Sequence, residues 1–521
     1  MAGLKQDRRE FLKASAAGLA TITLFGNAKA VTLDVEPFPE LVEITIPQLQ
    51  ARMKSGKLTA RRLAEMYLER IKQIDTKTHA VLEINPDALA IADRLDKERK
   101  RGKIRSQLHG IPILIKDNID TADKMMTTAG SLALVGAPTP KQDAYVVERL
   151  RKAGAVIIGK TNLSEWANFR GNKSISGWSG RGGQTNNPYY LDQNPCGSSA
   201  GSGVAVSANL AAASVGTETN GSIICPAVTN GVVGIKPTLG LVSRSGIIPI
   251  AHTQDTAGPM ARTVTDAAIM LGAMIGHDQR DSLSVAARKN SSKGYTKFLD
   301  ANGLKGARLG LVMQYTTRPE IKEFYKPFVD ALRSAGAILV DVTFTPDYSK
   351  FADDRTNVLK YEFKRDLNKY LAARGAKYKT LEELIKFNED NKDRELTKFG
   401  QELFIDSQKK DESSDGPEYI DAFLRINVAT RDDGIDAVVA KDKLDALVGP
   451  TTGTSWSIAA VAGYPYITVP VGLRGNSAMG MSFFGKAFTE PQIIKFAYAF
   501  EQKTKARVTP QFLPIAPKQD G

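Results

Sequence analysis

The sequence predicts an α/β fold in which a large, mostly parallel mixed sheet is covered by helices on both faces. Short apolar segments alternate with segments of helical periodicity, a pattern typical of strands buried between two helical layers. Hydrophobic residues make up 42% of the 521 positions, which is enough for a large core. We expect residues 31–521 to form one large domain with an insertion.

The elements follow from the periodicity of apolar residues. The segment 46–74 has helical apolar spacing with charges on its other face, and 85–100 predicts a second helix. The apolar run 111–115 predicts a short buried strand that ends at Lys116. The alternation then continues, with helices predicted at 144–152, 321–334 and 490–505, and strands at 155–158, 232–235, 308–313, 338–342, 446–448 and 466–471.

Two long regions break this pattern. Residues 160–230 are rich in Gly, Ser and Asn, and a long irregular stretch inside a domain is usually functional. Residues 347–435 are charged and helical in pattern, and they predict a helical insertion that caps the functional site. We expect this insertion and residues 165–180 to shape the substrate pocket.

The first thirty residues have the pattern of a signal peptide. Arg8 and Arg9 precede Phe-Leu-Lys, a weakly apolar stretch covers 14–25, and Ala28-Lys29-Ala30 is a small-x-small cleavage pattern. The paired arginines indicate the twin-arginine export machinery as a partner. The sequence therefore predicts a bacterial protein that is periplasmic or secreted.

Composition excludes several classes of protein. Two cysteines cannot build a disulfide scaffold or a multi-thiolate metal site, and the four histidines lack close metal-ligand spacing. No apolar run reaches the length of a membrane span. The net charge of +13 comes from dispersed basic residues, whereas a nucleic-acid binder usually has a basic stripe.

The densest chemical signal is the segment 197–203, Gly-Ser-Ser-Ala-Gly-Ser-Gly. It contains Gly-x-Ser-x-Gly centred on Ser199, the pattern of an α/β-hydrolase nucleophile elbow, but the residues before it are not strand-like. A second serine, Ser222, lies in a stretch of small and polar residues whose backbone N–H groups suit an oxyanion hole. Lys116 is the third candidate, because it ends an apolar strand and is therefore expected to be buried. Burial favours the neutral form of a lysine, and a neutral lysine can act as a general base.

At these residues the sequence resembles the amidase signature family. The resemblance covers most of residues 40–505, and within the family 165–172 and 243–250 look most like the peptide amidases. The main matches are Gly-Ile-Pro-Ile-Leu-Ile-Lys-Asp-Asn at 110–118, Gly-Ser-Ser-Ala-Gly-Ser at 197–202 and Thr-Glu-Thr-Asn-Gly-Ser-Ile at 217–223, with shorter matches at 159–162, 234–238, 255–260 and 480–485.

The resemblance implies the amidase signature fold and a Ser–Ser–Lys triad, without a metal or organic cofactor. Ser222 takes the place of the nucleophile, Lys116 that of the base, and Ser198 that of the bridging serine, which the family holds in a cis peptide. The oxyanion hole would be formed by the backbone N–H groups of Thr219, Asn220, Gly221 and Ser222. Many relatives have Gly at the position of Asn220, although Asn tolerates unusual backbone angles well. Asn172 and Thr217 are candidate substrate-binding residues.

The two cysteines, Cys196 and Cys225, each lie close in sequence to a candidate catalytic serine. We expect buried free thiols, although an exported protein could oxidise them.

The favoured hypothesis is an exported amidase that hydrolyses carboxamide C–N bonds in small-molecule or peptide amides, with peptide C-terminal amides as candidate substrates. A rival hypothesis from the same family is the glutamine-hydrolysing subunit of a tRNA-dependent amidotransferase, against which the export signal argues. Two hypotheses from outside the family are an α/β-hydrolase esterase that uses Ser199 and a non-enzymatic periplasmic binding protein.

Overall fold

A sheet of eleven strands runs through the part of the chain that the computed structural model describes, namely residues 37–314, 316–344, 351–411 and 416–517. Two further short strands pair with each other. The strands are β1 (Val81–Ile84), β2 (Pro112–Lys116), β3 (Val156–Thr161), β4 (Trp178–Ser179), β5 (Gly183–Gln184), β6 (Ala213–Glu218), β7 (Val233–Lys236), β8 (Thr256–Ala261), β9 (Arg308–Leu311), β10 (Ile338–Asp341), β11 (Ala446–Pro450), β12 (Tyr466–Arg474) and β13 (Ser477–Phe484).

The strand order is β1-β3-β2-β6-β8-β7-β12-β13-β11-β9-β10. The predicted mixed sheet covered by helices is confirmed, but only four of its ten neighbouring pairs are parallel and six are antiparallel. The parallel share is therefore lower than predicted. The periodicity did not predict β6, β8 and β13, which supply most of the antiparallel pairs.

Helices cover both faces of the sheet. They are α1 (Ile46–Lys54), α2 (Ala60–Thr78), α3 (Ala88–Lys100), α4 (Tyr145–Ala153), α5 (Ala200–Ser207), α6 (Ile224–Thr229), α7 (Val264–Met274), α8 (Val285–Asn290), α9 (Pro319–Ser334), α10 (Ala352–Arg374), α11 (Leu381–Asp390), α12 (Lys392–Glu395), α13 (Glu402–Gln408), α14 (Pro417–Thr430), α15 (Asp436–Lys441), α16 (Gly453–Ala462) and α17 (Glu490–Thr504).

The first predicted helix, 46–74, is wrong in one respect, because it is two helices. Gly56 has a positive φ of 74°, and the Thr59 side chain accepts a hydrogen bond from the Arg62 N–H and so caps the start of α2. The other predicted helices and strands are present, with ends that differ by a few residues.

One compact unit spans Phe38–Gly521. The predicted signal peptide, 1–30, lies outside the described residues. Among the described helices, none is long and apolar enough to cross a membrane.

The helices α10 to α14 occupy the segment that was predicted as a helical insertion. Buried polar contacts tie α10 and α12 to the rest of the fold. From α10, Tyr370 donates a hydrogen bond of 2.7 Å to Asp120, which lies just beyond β2. From α12, the Glu395 carboxylate lies 3.4 Å from Arg170, which also pairs with Glu165. The insertion is thus held against the carboxyl ends of the central strands.

Candidate active site

The candidate catalytic residues lie at the carboxyl ends of two parallel strands. Lys116 is the last residue of β2, and β2 pairs in parallel with β6, which ends at Glu218. Ser222 lies in the turn between β6 and α6, and Ser198 lies just before α5. The fold thus brings these three residues together at one edge of the sheet. In α/β proteins this is the edge at which ligands bind.

The Lys116 amine is fully buried among hydroxyl groups. Its Nζ lies 2.7 Å from Ser198 Oγ, 2.9 Å from Thr217 Oγ1 and 3.1 Å from Ser199 Oγ. The peptide bond between Gly197 and Ser198 is cis. Ser198 is therefore the closest partner of the amine.

Burial lowers the pKa of Lys116 from its ordinary value to about 7, and the nearby carboxylates of Asp255 and Glu218 offset only part of this effect. No carboxylate of the described residues forms an ion pair with the amine, so little compensates the lost hydration of the charged form. About half of the molecules thus carry a neutral amine at neutral pH, and most of them do above about pH 8.

The hydrogen bonds around the amine suit this neutral form. Ser199 Oγ donates to the Thr217 carbonyl at 3.0 Å, so its oxygen can accept an N–H from Lys116. A second N–H can be donated to Thr217 Oγ1. Both hydrogens of a neutral amine are then used, and its lone pair is left to accept the proton of Ser198.

The structure brings Ser222 next to this network without completing the predicted relay. The Ser199 N–H donates a 3.1 Å hydrogen bond to the Ser222 carbonyl, which fixes the backbone of the two serine segments side by side. Ser222 is 8% exposed, and its hydroxyl makes no hydrogen bond with a described residue, Ser198 included. Catalytic hydrogen bonds are often formed only when substrate is bound.

The segment Thr219–Ser222 has the form expected of an oxyanion hole. The N–H groups of Thr219, Asn220 and Ser222 donate no hydrogen bond to any described residue. The turn is made by Gly221, with φ of 79°, whereas Asn220 is not among the residues with positive φ. The Asn220 side chain accepts a 2.7 Å hydrogen bond at Oδ1 from Ser457 Oγ, while its buried Nδ2 has no hydrogen-bond partner among the described residues.

Two buried carboxylates hold this segment in place. Glu218 Oε2 accepts hydrogen bonds from the N–H groups of Ile223 and Ile224, at the start of α6. Asp255 accepts one from Thr219 Oγ1 at 2.6 Å and two from the backbone N–H groups of Ile250 and Ala251. Burial raises the pKa of Asp255 to about 6. Asp255 lies in the family match at 255–260, but the sequence around it did not indicate that it holds the Thr219–Ser222 segment.

The prediction of free thiols at Cys196 and Cys225 is wrong, because the two sulfur atoms form a disulfide. Their segments lie side by side: Cys225 is one turn beyond Ser222, and Asn230 Nδ2 donates a 2.8 Å hydrogen bond to the carbonyl of Pro195. The disulfide joins the segment that carries Ser198 to the helix that follows Ser222.

A cavity of about 380 Å³, the catalytic cavity, adjoins this network at Asn118, Thr217 and Thr219. Lys116, Ser198 and Ser222 are not among its lining residues, so the cavity reaches the edge of the network rather than the serines themselves. Its main wall is the segment 244–250, which supplies Ile247, Ile248 and Ile250, and α10 closes the other side with Asp366, Lys369, Tyr370 and Ala373. The predicted contribution of the insertion is therefore observed. The segment 244–250 was not predicted as a pocket wall, although it carried the likeness to peptide amidases.

The structure places the two candidate substrate-binding residues differently. Thr217 lines the cavity and contacts Lys116. Asn172 is exposed, does not line the cavity, and donates its backbone N–H to Glu402 of α13 at 3.0 Å. From the segment 165–180, only Ala167 lines the cavity.

Among the described residues, one group could offer ligands to a metal ion: His252, Glu362 and Asp366. These atoms already have partners. Glu362 accepts hydrogen bonds from Thr253 and Tyr419, and the guanidinium of Arg365 lies 2.8 Å from His252 Nδ1. A neighbouring guanidinium disfavours a bound cation, so the group is better described as a contact between α10 and the cavity wall.

Ser199 does not have the geometry of a nucleophile elbow. It is fully buried, and its hydroxyl is engaged by Lys116 and by the Thr217 carbonyl. It precedes α5 without a strand before it, whereas the elbow needs a strand-to-helix turn that exposes the serine.

Comparison with known proteins gives a consistent result. The family model of Amidase matches residues 62–458. The X-ray structure of native peptide amidase from Stenotrophomonas maltophilia is 48% identical, with a TM-score of 0.87, and the match covers 91% of this chain and 100% of that chain. A probable amidase of Arabidopsis thaliana is 42% identical over 505 residues, 95% of this chain and 96% of that protein. A glutamyl-tRNA(Gln) amidotransferase subunit of Thermoanaerobacter pseudethanolicus is 32% identical over 509 residues, 91% of this chain and 99% of that protein.

Proposed function

The chain belongs to the amidase family, whose members hydrolyse amide C–N bonds, and we propose that its own substrates are peptide C-terminal amides and that it acts after export. The observation that carries the catalytic part is the buried Lys116 amine, 2.7 Å from Ser198 and with its pKa lowered to about 7. The 48% identity to a peptide amidase over nearly the whole chain supports the choice of substrate.

The mechanism follows the proton path. The neutral amine of Lys116 accepts a proton from Ser198, which takes one from Ser222 as the Ser222 oxygen attacks the amide carbon. The N–H groups of Thr219, Asn220 and Ser222 stabilise the oxyanion of the tetrahedral intermediate, whereas the Gly221 N–H faces the Glu218 carboxylate. The relay returns the proton to the nitrogen, ammonia leaves, and water hydrolyses the acyl-enzyme to a free carboxylate.

The cavity fits this chemistry. When ammonia is the leaving group, nearly all of the substrate belongs to the acyl part, which must be held beside the serines. A cavity of about 380 Å³ with isoleucine walls can hold an apolar residue next to the scissile amide. The size and lining of the cavity therefore support a substrate with an apolar residue at its amidated end.

A matched panel of amides tests the substrate. We expect an N-acetyl dipeptide amide with leucine at its amidated end to release ammonia and leave the free acid, with its internal peptide bonds intact. Ser222→Ala should release none. Cleavage of glutamine alone, or cleavage of internal bonds, would contradict the proposal, and the first result would favour the amidotransferase hypothesis.

The export part rests on the paired Arg8 and Arg9, and a disulfide supports it, because disulfides persist in oxidising compartments. Expression of the full chain in a bacterium with twin-arginine export tests it. We expect the mature protein in the periplasmic fraction, and the double variant Arg8→Lys/Arg9→Lys in the cytoplasm at equal total yield. Equal export of both would refute the proposed route.

A further inference from the structure

A second cavity, the outer chamber, adjoins the catalytic cavity. It has a volume of about 580 Å³ and shares with the catalytic cavity the residues Arg244, His252, Arg280, Asp281, Asp366 and Lys369. A substrate whose amide reaches the catalytic serines would therefore extend through this chamber toward solvent.

The walls of the outer chamber carry more cationic than anionic side chains. Two carboxylates line it, those of Asp281 and Asp366, against five cationic side chains. These five are Arg244, Arg280, Arg365, Arg431 and Lys369. The catalytic cavity, by contrast, has more carboxylates than cationic groups in its lining.

Three of the five cations already have carboxylate partners. Arg244 pairs with Asp281 at 2.5 Å, Arg280 with Asp278 at 3.1 Å, and Arg365 with Asp366 at 3.1 Å. Their charge is therefore largely neutralised inside the wall.

Lys369 and Arg431 have no such partner among the described residues. Lys369 is exposed on α10 and forms no ion pair. Arg431, just after α14, donates from Nε to the Ala462 carbonyl at 2.8 Å and forms no ion pair either. Asp432 and Asp433 follow it in sequence, but neither lines the catalytic cavity or the outer chamber.

We propose that the outer chamber binds an anionic group in the acyl part of the substrate through Lys369 and Arg431. This inference rests on the proposed function, because a peptide amide that loses ammonia carries all of its other residues in the acyl part, and these two cavities are the ones that adjoin the catalytic network. The preferred substrates are then peptide amides with an apolar residue at the amidated end and an acidic side chain two or more residues before it.

Peptides that differ in one side chain test the inference. N-acetyl tetrapeptide amides with leucine at the amidated end would carry Glu, Gln or Lys at one of the two positions that lie two and three residues before it. At the better position we expect kcat/KM to be about five- to tenfold higher for Glu than for Gln, and lowest for Lys. This is the gain that two partly exposed ion pairs, with Lys369 and Arg431, would provide. Added salt should reduce the preference.

The double variant Lys369→Gln/Arg431→Gln should bring the Glu-to-Gln ratio close to one. Lys379→Gln is the matched control, because Lys379 is an exposed lysine of the same insertion that lines neither cavity, and it should keep the wild-type ratio. Equal kcat/KM for Glu and Gln at both positions, or a preference that persists in the double variant, would overturn the inference and leave the peptide-amide function intact. Hydrolysis of none of these peptides would overturn both.

Discussion

Replacing Lys116 by methionine is the sharpest test of the general base, because methionine keeps a long unbranched side chain and removes the amine. The Nζ atom is buried and lies 2.7 Å from Ser198 Oγ. A positioned general base contributes about 10²- to 10⁴-fold to a rate. At about pH 8 we therefore expect kcat/KM of Lys116→Met to fall by about that factor.

The pH dependence sharpens this prediction. With the pKa of Lys116 lowered to about 7, the amine is neutral in about nine tenths of the molecules at about pH 8 and in about one tenth at about pH 6. Activity of the wild type is thus present above the pKa and lost below it, by about tenfold over this range. The variant has no titrating amine at position 116. The ratio of wild-type to variant kcat/KM should therefore be about tenfold smaller at about pH 6 than at about pH 8. Its deficit should also shrink at high pH, where hydroxide ion replaces the missing base.

Ammonia release from a peptide amide, measured across this pH range for both proteins, checks these values. Circular dichroism and thermal unfolding show whether the variant is folded, and Lys116→Ala repeats the test without the bulky side chain. A folded variant with wild-type kcat/KM, or one that keeps the wild-type pH profile, would refute the role of the amine.

Four further variants test the surroundings of the amine. Ser222→Ala should abolish ammonia release, whereas Ser199→Ala should keep the acylating hydroxyl and lose only part of the rate; the reverse order would favour an esterase-like serine. Asp255→Asn leaves the buried hydroxyl of Thr219 without its acceptor, at a cost of about 1–3 kcal/mol. A loss of that size in the oxyanion-hole segment should lower kcat about ten- to hundredfold. An unchanged kcat in the folded variant would contradict the role of Asp255 in holding this segment. Replacing Cys196 and Cys225 by alanine should lower the free energy of unfolding by about 3–4 kcal/mol, as expected for a bond between residues 29 apart, and the denatured, unreduced wild type should titrate no thiol.

The elements that carry strong apolar periodicity could be predicted from the sequence. The strand that ends at Lys116 is such an element, since its five residues are all buried between two parallel neighbours. The motif residues around Ser198 and Ser222 could be placed as well, because their spacing follows the strands and helices that hold them.

Other features depend on contacts between distant segments and were missed for that reason. Strand β8 contains Gly258 and Pro259, which disfavour strands, and it forms only because β6 and β7 flank it. The role of Asp255 depends on Thr219, 36 residues away. No local pattern encodes such a pairing.

The disulfide shows the same limit. Whether two cysteines bond depends on the distance between their segments, and here the Cα atoms of Cys196 and Cys225 are 5.9 Å apart. Their closeness in space arises from the packing of the Ser198 segment against α6, which the sequence indicated only through the assumed relay.

Covalent labelling addresses most directly whether Lys116 activates Ser222 through Ser198. A fluorophosphonate reacts with an activated serine, and peptide mass spectrometry locates the adduct. We expect one adduct, on Ser222, at a rate that rises with pH through about 7 and that falls at least about a hundredfold in Ser198→Ala and in Lys116→Met. An adduct on another serine, or an equal labelling rate in the folded Lys116→Met variant, would contradict the relay.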